Sequence, residues 1–179
     1  MGLFGYLKNI TVAVKDTSRQ IKAIDVLLKP CFSLSDSRKI AARHNIHEDM
    51  FLRFHVHKRC LAVNTVRITA AIVMESGAGP FLELFQVELD RKEELSEYSF
   101  GAREYVEIDR LYVSASMDIA SGPGYASANG PVTAAMLDDK FAEVFATILS
   151  GSTGRNYIEA GRDISRTYSL LVEELLWGL

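Results

Sequence analysis

Alternating apolar and polar residues run through four stretches in the middle of the chain. The stretches are residues 52–57, 65–74, 81–89 and 105–119. Successive side chains of a strand point to opposite faces of a sheet, so this alternation predicts β-strands. We therefore expect an antiparallel sheet of about four to five strands with one face in contact with water.

Helical spacing marks both ends of the chain. Leu3, Phe4 and Leu7 begin an apolar stripe, and a second segment with the same spacing ends at Pro30, where proline stops a helix. The β-prone residues 11–14 (TVAV) predict a break between these two segments. Ser35 is expected to be the N-cap of a short helix that follows.

Two further helices are predicted in the last third of the chain. Pro131 suits the first position of a helix that extends to Gly151, and residues 162–179 carry apolar side chains at helical spacing. The order of helices, strands and helices predicts an α+β fold with the N-terminal and C-terminal helices packed on one face of the sheet. We expect residues 1–30 to form a helical arm, mobile or exchanged with a neighbouring copy, and residues 31–179 to form a single α+β domain.

The basic and acidic residues are unevenly distributed. Residues 1–67 contain 12 Lys and Arg against 5 Asp and Glu, whereas residues 68–179 contain 8 against 18. This division suggests that one side of the protein favours anionic partners, and it makes head-to-tail self-association plausible. The alternative is that the two sets of charges intermix in space after folding.

All four histidines lie between positions 44 and 57, among several basic residues. On a strand, His55 and His57 would share one face with Arg53 and Arg59. Cations around a site repel a divalent ion, so no metal site is expected. The stretch is interpreted as a solvated basic face, with a pH response through His55 and His57 as the alternative.

Two sets of residues are candidates for binding. The anion-binding candidates, for lipid or RNA, are Arg38, Lys39, Arg43, Arg53, Lys58 and Arg59. The candidates for membrane insertion or partner docking are Leu3, Phe4 and Leu7. Lys8, Lys15, Lys22 and Lys29 recur every seven residues and would form one stripe on a continuous helix.

No catalytic motif is present in the sequence. The glycine-bearing stretches lack the spacing of phosphate-binding loops, and there is no G-x-S-x-G nucleophile elbow. We therefore expect a protein that is not an enzyme and has no cofactor. The alternatives are a small soluble enzyme with a pocket near residues 121–131 that uses His55 or His57 as a base, and a regulatory protein-interaction module.

The compartment is inferred from the cysteines and the apolar runs. Two cysteines, Cys31 and Cys60, are too few for a disulfide framework, which favours a reducing, intracellular compartment. No apolar run approaches the roughly 20 residues of a membrane span. If the protein contacts a membrane, we expect it to do so from one side.

A helical arm, a basic first third and a sheet covered by helices within 179 residues resemble the layout of the small matrix proteins of negative-strand RNA viruses, of the plant rhabdovirus type. The resemblance implies a self-associating structural protein that links a membrane to a ribonucleoprotein, in the virion and at the inner face of the host membrane. The expected partners are further copies of the chain, an anionic lipid surface, and a nucleocapsid or RNA.

Overall fold

The chain folds into helices in every part that the structure describes. This computed structural model describes the backbone of residues 3–74, 77–96, 102–121, 134–150 and 154–176, and the side chains of 17–74, 77–96, 106–115, 138–149 and 154–176. Seven α-helices occupy these residues: α1 Leu3–Cys31, α2 Leu34–Arg43, α3 Phe51–Met74, α4 Ala78–Glu94, α5 Ala102–Ser121, α6 Ala134–Ser150 and α7 Arg155–Leu176. A short 3₁₀ helix, Glu48–Met50, precedes α3.

The predicted α+β fold is wrong. The four alternating stretches lie in α3, α4 and α5, and none of the described residues is in a strand. Of the three features that carried the resemblance to viral matrix proteins, the sheet covered by helices is therefore absent from the described residues. The expected break at residues 11–14 is also wrong, because α1 is continuous from Leu3 to Cys31.

Helix α3 lies at the centre of the fold and packs against all six other helices. Sixteen of its 24 residues are buried, on all sides of the helix, so it has no solvent-facing polar stripe. This explains why helical periodicity is weak in its sequence. Its basic and histidine side chains were predicted to form the solvated face of a strand. They lie on a helix, and those at positions 55, 57, 58 and 59 are buried.

The other helices bury one stripe each. In α4 the buried residues include Phe81, Phe85 and Leu89, at intervals of four, and in α5 the buried Ile108 and Tyr112 show the same interval. This spacing places side chains on one face of a helix. The C-terminal half of α1 also packs into the core, through Ile24, Leu27 and Leu28 among others. Burial of these apolar faces supplies the main stabilising free energy of the fold.

A buried polar network joins α3, α6 and α7. The Ser165 hydroxyl of α7 donates to the Asp138 carboxylate of α6 at 2.6 Å, and Thr65 of α3 lies 3.4 Å from the Ser165 oxygen. Burial raises the pKa of Asp138, while the hydroxyls of Ser165 and Ser169 act in the opposite direction. Buried polar groups are costly when unpaired, so this network favours one alignment of the three helices.

Helices α6 and α7 approach closely at Gly161. A Cβ atom placed on Gly161 would lie 2.9 Å from Ala142 Cα and 3.1 Å from Phe145 Cδ1. Backbone cannot move out of the way as a flexible side chain can, so only glycine fits between these helices without displacement.

Replacing Gly161 by alanine is expected to destabilise the protein by about 1–3 kcal/mol, the usual cost of overpacking a core. This effect opposes the roughly 1 kcal/mol by which alanine is favoured over glycine inside a helix. Gly79 of α4 is the matched control, because a Cβ there meets nothing within 4 Å. Chemical denaturation should show lower stability for Gly161→Ala and unchanged or higher stability for Gly79→Ala. Equal effects at both positions would show that the α6–α7 contact does not constrain the fold.

Candidate functional site

Lys58 is buried on α3 and holds the end of α1. Its Nζ donates to the carbonyl oxygen of Pro30 at 2.7 Å, and the carbonyl oxygen of Ser33 lies 3.5 Å away. The last carbonyls of a helix lack partners within the helix and carry partial negative charge, so an ammonium group stabilises them. Burial lowers the pKa of Lys58 to about 8. Lys58 therefore fixes the connection between α1 and α2 from inside the protein.

Arg59 joins α3 to the end of α4. Its Nε lies 3.0 Å from Glu93 Oε1, and its Nη1 donates to the Ser96 hydroxyl oxygen at 3.2 Å. The guanidinium group also lies 4.8 Å from the centre of the Phe32 ring. The Arg59 side chain is fully buried, so these contacts replace the water that the charge would otherwise bind.

A groove lies outside these two buried cations, between the ends of α1 and α4 and the start of α2. Its volume is about 400 Å³, within the range of small-ligand sites. The lining residues are Lys29, Phe32, Ser33, Leu34, His55, Arg91, Lys92, Leu95 and Ser96. Three of them are cationic, none is acidic, and three are apolar.

Positive charge exceeds negative charge among the side chains that line the groove. Three ion pairs lie in or behind the groove: Lys92–Asp25 at 2.9 Å, Arg91–Glu88 at 2.8 Å and Arg59–Glu93 at 3.0 Å. Lys29 and Lys58 are two further cations, and no ion pair between described side chains uses either of them. A concave surface with such a surplus attracts anions.

His55 and His57 are both buried and are held neutral at pH 7. Burial lowers the pKa of each imidazole to about 4, with nearby cations adding to the effect. Residues two apart on a helix point about 200° apart, so these two histidines cannot share a metal ion as they could on a strand. They do not form the solvated basic row predicted with Arg53 and Arg59, because α3 is helical.

Ser37 and His55 form a hydrogen-bonded pair, with Oγ 2.7 Å from Nδ1. The Ser37 hydroxyl also donates to the carbonyl oxygen of Ser33 at 3.1 Å. Since a hydroxyl has one proton, this bond leaves the Ser37 oxygen to accept from His55 when the imidazole carries its proton on Nδ1. Ser37 is completely buried, so its oxygen is not placed to attack a substrate. The pair fixes α2 to α3.

The other four predicted anion-binding residues are exposed but lie away from the groove. Each has a partner within the protein: Arg38 pairs with Glu48, Lys39 with Asp36 and Arg43 with Asp163, and Arg53 donates to the carbonyl oxygen of Ile148. Of the six predicted residues, the structure brings together Lys58 and Arg59, and these two lie behind the groove and not on its surface.

Three ion pairs between described side chains join an arginine of residues 1–67 to an acidic residue of 68–179. They are Arg43–Asp163, Arg59–Glu93 and Arg67–Asp109. The charge division in the sequence is thus partly used inside the molecule, which supports the alternative that the charges intermix on folding. Self-association and binding to lipid, nucleocapsid or RNA stay predictions.

Some predicted site residues lie outside the described part of the chain. Leu3, Phe4 and Leu7 fall within α1, but their side chains are not among those described, and neither are residues 122–131 of the loop expected near an enzymatic pocket.

Sequence reasoning missed the three cations that line the groove. Lys29 appeared only as the last member of the seven-residue lysine spacing, and Arg91 and Lys92 were not singled out. All three lie in the last turn of a helix, of α1 or of α4. Basic residues are typical of helix ends, so this signal was readable. That the two helices end beside each other was not readable from the sequence.

Metal sites and membrane-spanning helices are both absent from the described residues. No group of three or more His, Cys, Asp or Glu side chains among them is arranged to hold a metal ion. No described helix combines the length and the apolar character needed to cross a membrane.

Comparison with known proteins returned no relative. No protein family, no curated protein and no solved structure matches this chain.

Proposed function

We propose that this protein is a non-enzymatic binding protein that holds an anionic group, such as a phosphate, in the groove between α1, α2 and α4. The observation that carries the proposal is the convergence of Lys29, Arg91 and Lys92 on one concave surface, with Lys58 and Arg59 buried behind it. These residues come from three helices, so their meeting is a property of the folded protein.

The chemistry of the groove suits phosphate in particular. The Arg91 guanidinium group binds Glu88 through Nε and Nη2 and has further N–H donors besides these. Lys29 and Lys92 add ammonium groups, and that of Lys92 also binds Asp25. The Ser33 hydroxyl oxygen accepts the Asp36 N–H at the start of α2, and the hydroxyl group has one proton of its own to donate. Cations and hydroxyl donors within one concavity of this size favour a compact anion over the flat, extended contact that RNA requires.

The histidine in the groove, His55, favours a binding role over catalysis, because of its low basicity and its hydrogen bond to Ser37. The pKa of His55 is lowered to about 4, which makes it a weak base at neutral pH. Its Nδ1 is already bonded to Ser37, a buried side chain. The remaining polar lining consists of hydroxyls and of cations that are suited to holding charge.

The test is calorimetric titration with inorganic pyrophosphate and, in a separate arm, with phosphatidylglycerol vesicles. The double variant Lys29→Gln, Arg91→Gln removes two charges from the rim without adding a repulsive one. Charge-assisted contacts are worth about 1.5–3 kcal/mol each, so pyrophosphate affinity should fall at least tenfold. Affinity should also fall with added salt.

Arg38→Gln, Arg155→Gln is the matched control. Both arginines are exposed and lie outside the groove, with side chains that are 63% and 92% exposed. Pyrophosphate binding should be unchanged in this variant. Absence of binding, or equal losses in both double variants, would contradict the proposal. Binding to vesicles without binding to pyrophosphate would assign the anion to a lipid surface.

A further inference from the structure

We infer that the groove selects amphiphilic anions, in which a phosphate or carboxylate head carries a short apolar chain. This inference rests on the proposed function and narrows its ligand class. It is drawn from the division of the groove into a cationic part, formed by Lys29, Arg91 and Lys92, and an apolar part, formed by Phe32, Leu34 and Leu95.

Leu95 exposes the apolar part to solvent, while Phe32 and Leu34 are partly buried against the core. Leu95 is 75% exposed, the largest fraction among the large apolar side chains in the described part of the chain. It follows the last turn of α4, directly after the helix that carries Arg91 and Lys92. An apolar group in the groove would remove this surface from water, which a bare phosphate cannot do.

Phe32 gives the apolar part a fixed floor. One face of its ring is covered by the Arg59 guanidinium at 4.8 Å, and Arg59 is itself held by Glu93 and Ser96. Phe32 and Leu34 flank Ser33, the N-cap residue of α2. The apolar residues therefore sit on anchored backbone, and the site needs little ordering when a ligand binds.

The volume of the groove indicates how long a chain it can cover. At roughly 30 Å³ for each water-sized unit, the 400 Å³ of the groove holds about a dozen such units. Octyl phosphate, with a head group and eight carbons, is of this size, whereas a complete membrane lipid is much larger. The ligand expected is a free, short-chain amphiphile.

The experiment is titration with ethyl, butyl, hexyl and octyl phosphate below their aggregation concentrations, beside inorganic phosphate and phosphatidic acid vesicles. Each buried methylene contributes up to about a fourfold gain in affinity. Affinity should therefore rise along the series. Octyltrimethylammonium, with the same chain and the opposite charge, should not bind.

The variant Leu95→Ser distinguishes the contribution of the apolar part to binding from that of the cationic part. It should weaken octyl phosphate binding several-fold and leave inorganic phosphate binding unchanged. Val87→Ser is the matched control, because Val87 lies on α4, is 62% exposed and does not line the groove. It should leave both affinities unchanged.

The outcomes separate this inference from the proposed function. Equal affinity for all the phosphates, with no effect of Leu95→Ser, would overturn the inference and leave anion binding intact. No binding of any phosphate would overturn both. Binding to phosphatidic acid vesicles without binding to octyl phosphate would also overturn the inference, because it would assign the site to a membrane headgroup.

Discussion

Replacing Glu93 by alanine is expected to destabilise the protein by about 3–5 kcal/mol. Glu93 lies 3.0 Å from Arg59, whose side chain is fully buried, so the substitution leaves an uncompensated charge inside the protein. Arg59 also contacts Phe32 and Ser96, and its displacement would disturb the floor of the groove. Chemical denaturation at neutral pH measures the effect.

Glu88→Ala is the matched control for this prediction. Glu88 pairs with Arg91 on the same helix at 2.8 Å, but the Arg91 side chain is 57% exposed. Exposed pairs contribute about 0–1 kcal/mol. The double variant Arg59→Met, Glu93→Met removes both charges and should cost less than the sum of the single substitutions. Equal losses for Glu88→Ala and Glu93→Ala would contradict the placement of Arg59 in the interior.

The second large effect is a loss of stability in acid, caused by His55 and His57. Burial lowers the pKa of both to about 4, from an ordinary value of 6.5. Below pH 6.5 the unfolded chain takes up protons that the folded protein does not. The free energy of unfolding should therefore fall by about 1.4 kcal/mol per pH unit for each histidine, until the pH approaches 4. The two together amount to about 5 kcal/mol at pH 4.5.

Denaturation from pH 7.5 to 4.5 tests this prediction. The double variant His55→Asn, His57→Gln should lose the steep part of the pH dependence, whatever its stability at pH 7.5. His47→Gln is the control, because the His47 side chain is 76% exposed. The buried carboxyls of Glu93 and Asp138 have raised pKa values and so act in the opposite direction in acid. An equally steep fall of the unfolding free energy with pH in wild type and in the double variant would contradict the prediction. It would show that His55 and His57 take up protons equally well in the folded and the unfolded protein.

The sequence predicted several helices and failed in the middle of the chain for a physical reason. Apolar residues in 81–89 satisfy two periods at once, since Phe81, Phe85 and Leu89 recur every four residues within an alternating run. The length of an alternating run was a better criterion than its period for deciding between a strand and a helix. Residues 105–119 form a run of about 15, whereas strands are typically 4–8 residues long. A short helix was correctly predicted near Ser35, although the N-cap is Ser33.

The buried helix α3 could not have been assigned from its periodicity. A helix that is buried on every side has no polar stripe, and its internal cations look like a solvated face until their partners are known. Lys58 and Arg59 were predicted to lie on an exposed, anion-binding face, but both are buried. Their partners, Pro30 and Glu93, are 28 and 34 residues away in the chain. Tertiary structure alone brings these groups together.

The candidate groove could not be predicted from the sequence for the same reason. It forms where α1 and α4 end side by side, and Lys29 and Arg91 are more than 60 positions apart in the chain. Each is an ordinary basic residue in the last turn of a helix. Only their proximity, over two buried cations, indicates an anion site.

Anion binding at this groove is tested most directly by nuclear magnetic resonance. Backbone amide shifts of the ¹⁵N-labelled protein would be followed during titration with inorganic pyrophosphate at constant ionic strength. We expect saturable shifts concentrated in residues 29–34 and 91–96. Shifts concentrated around the exposed Arg38, Arg43 and Arg53, or no saturable shifts at all, would contradict it.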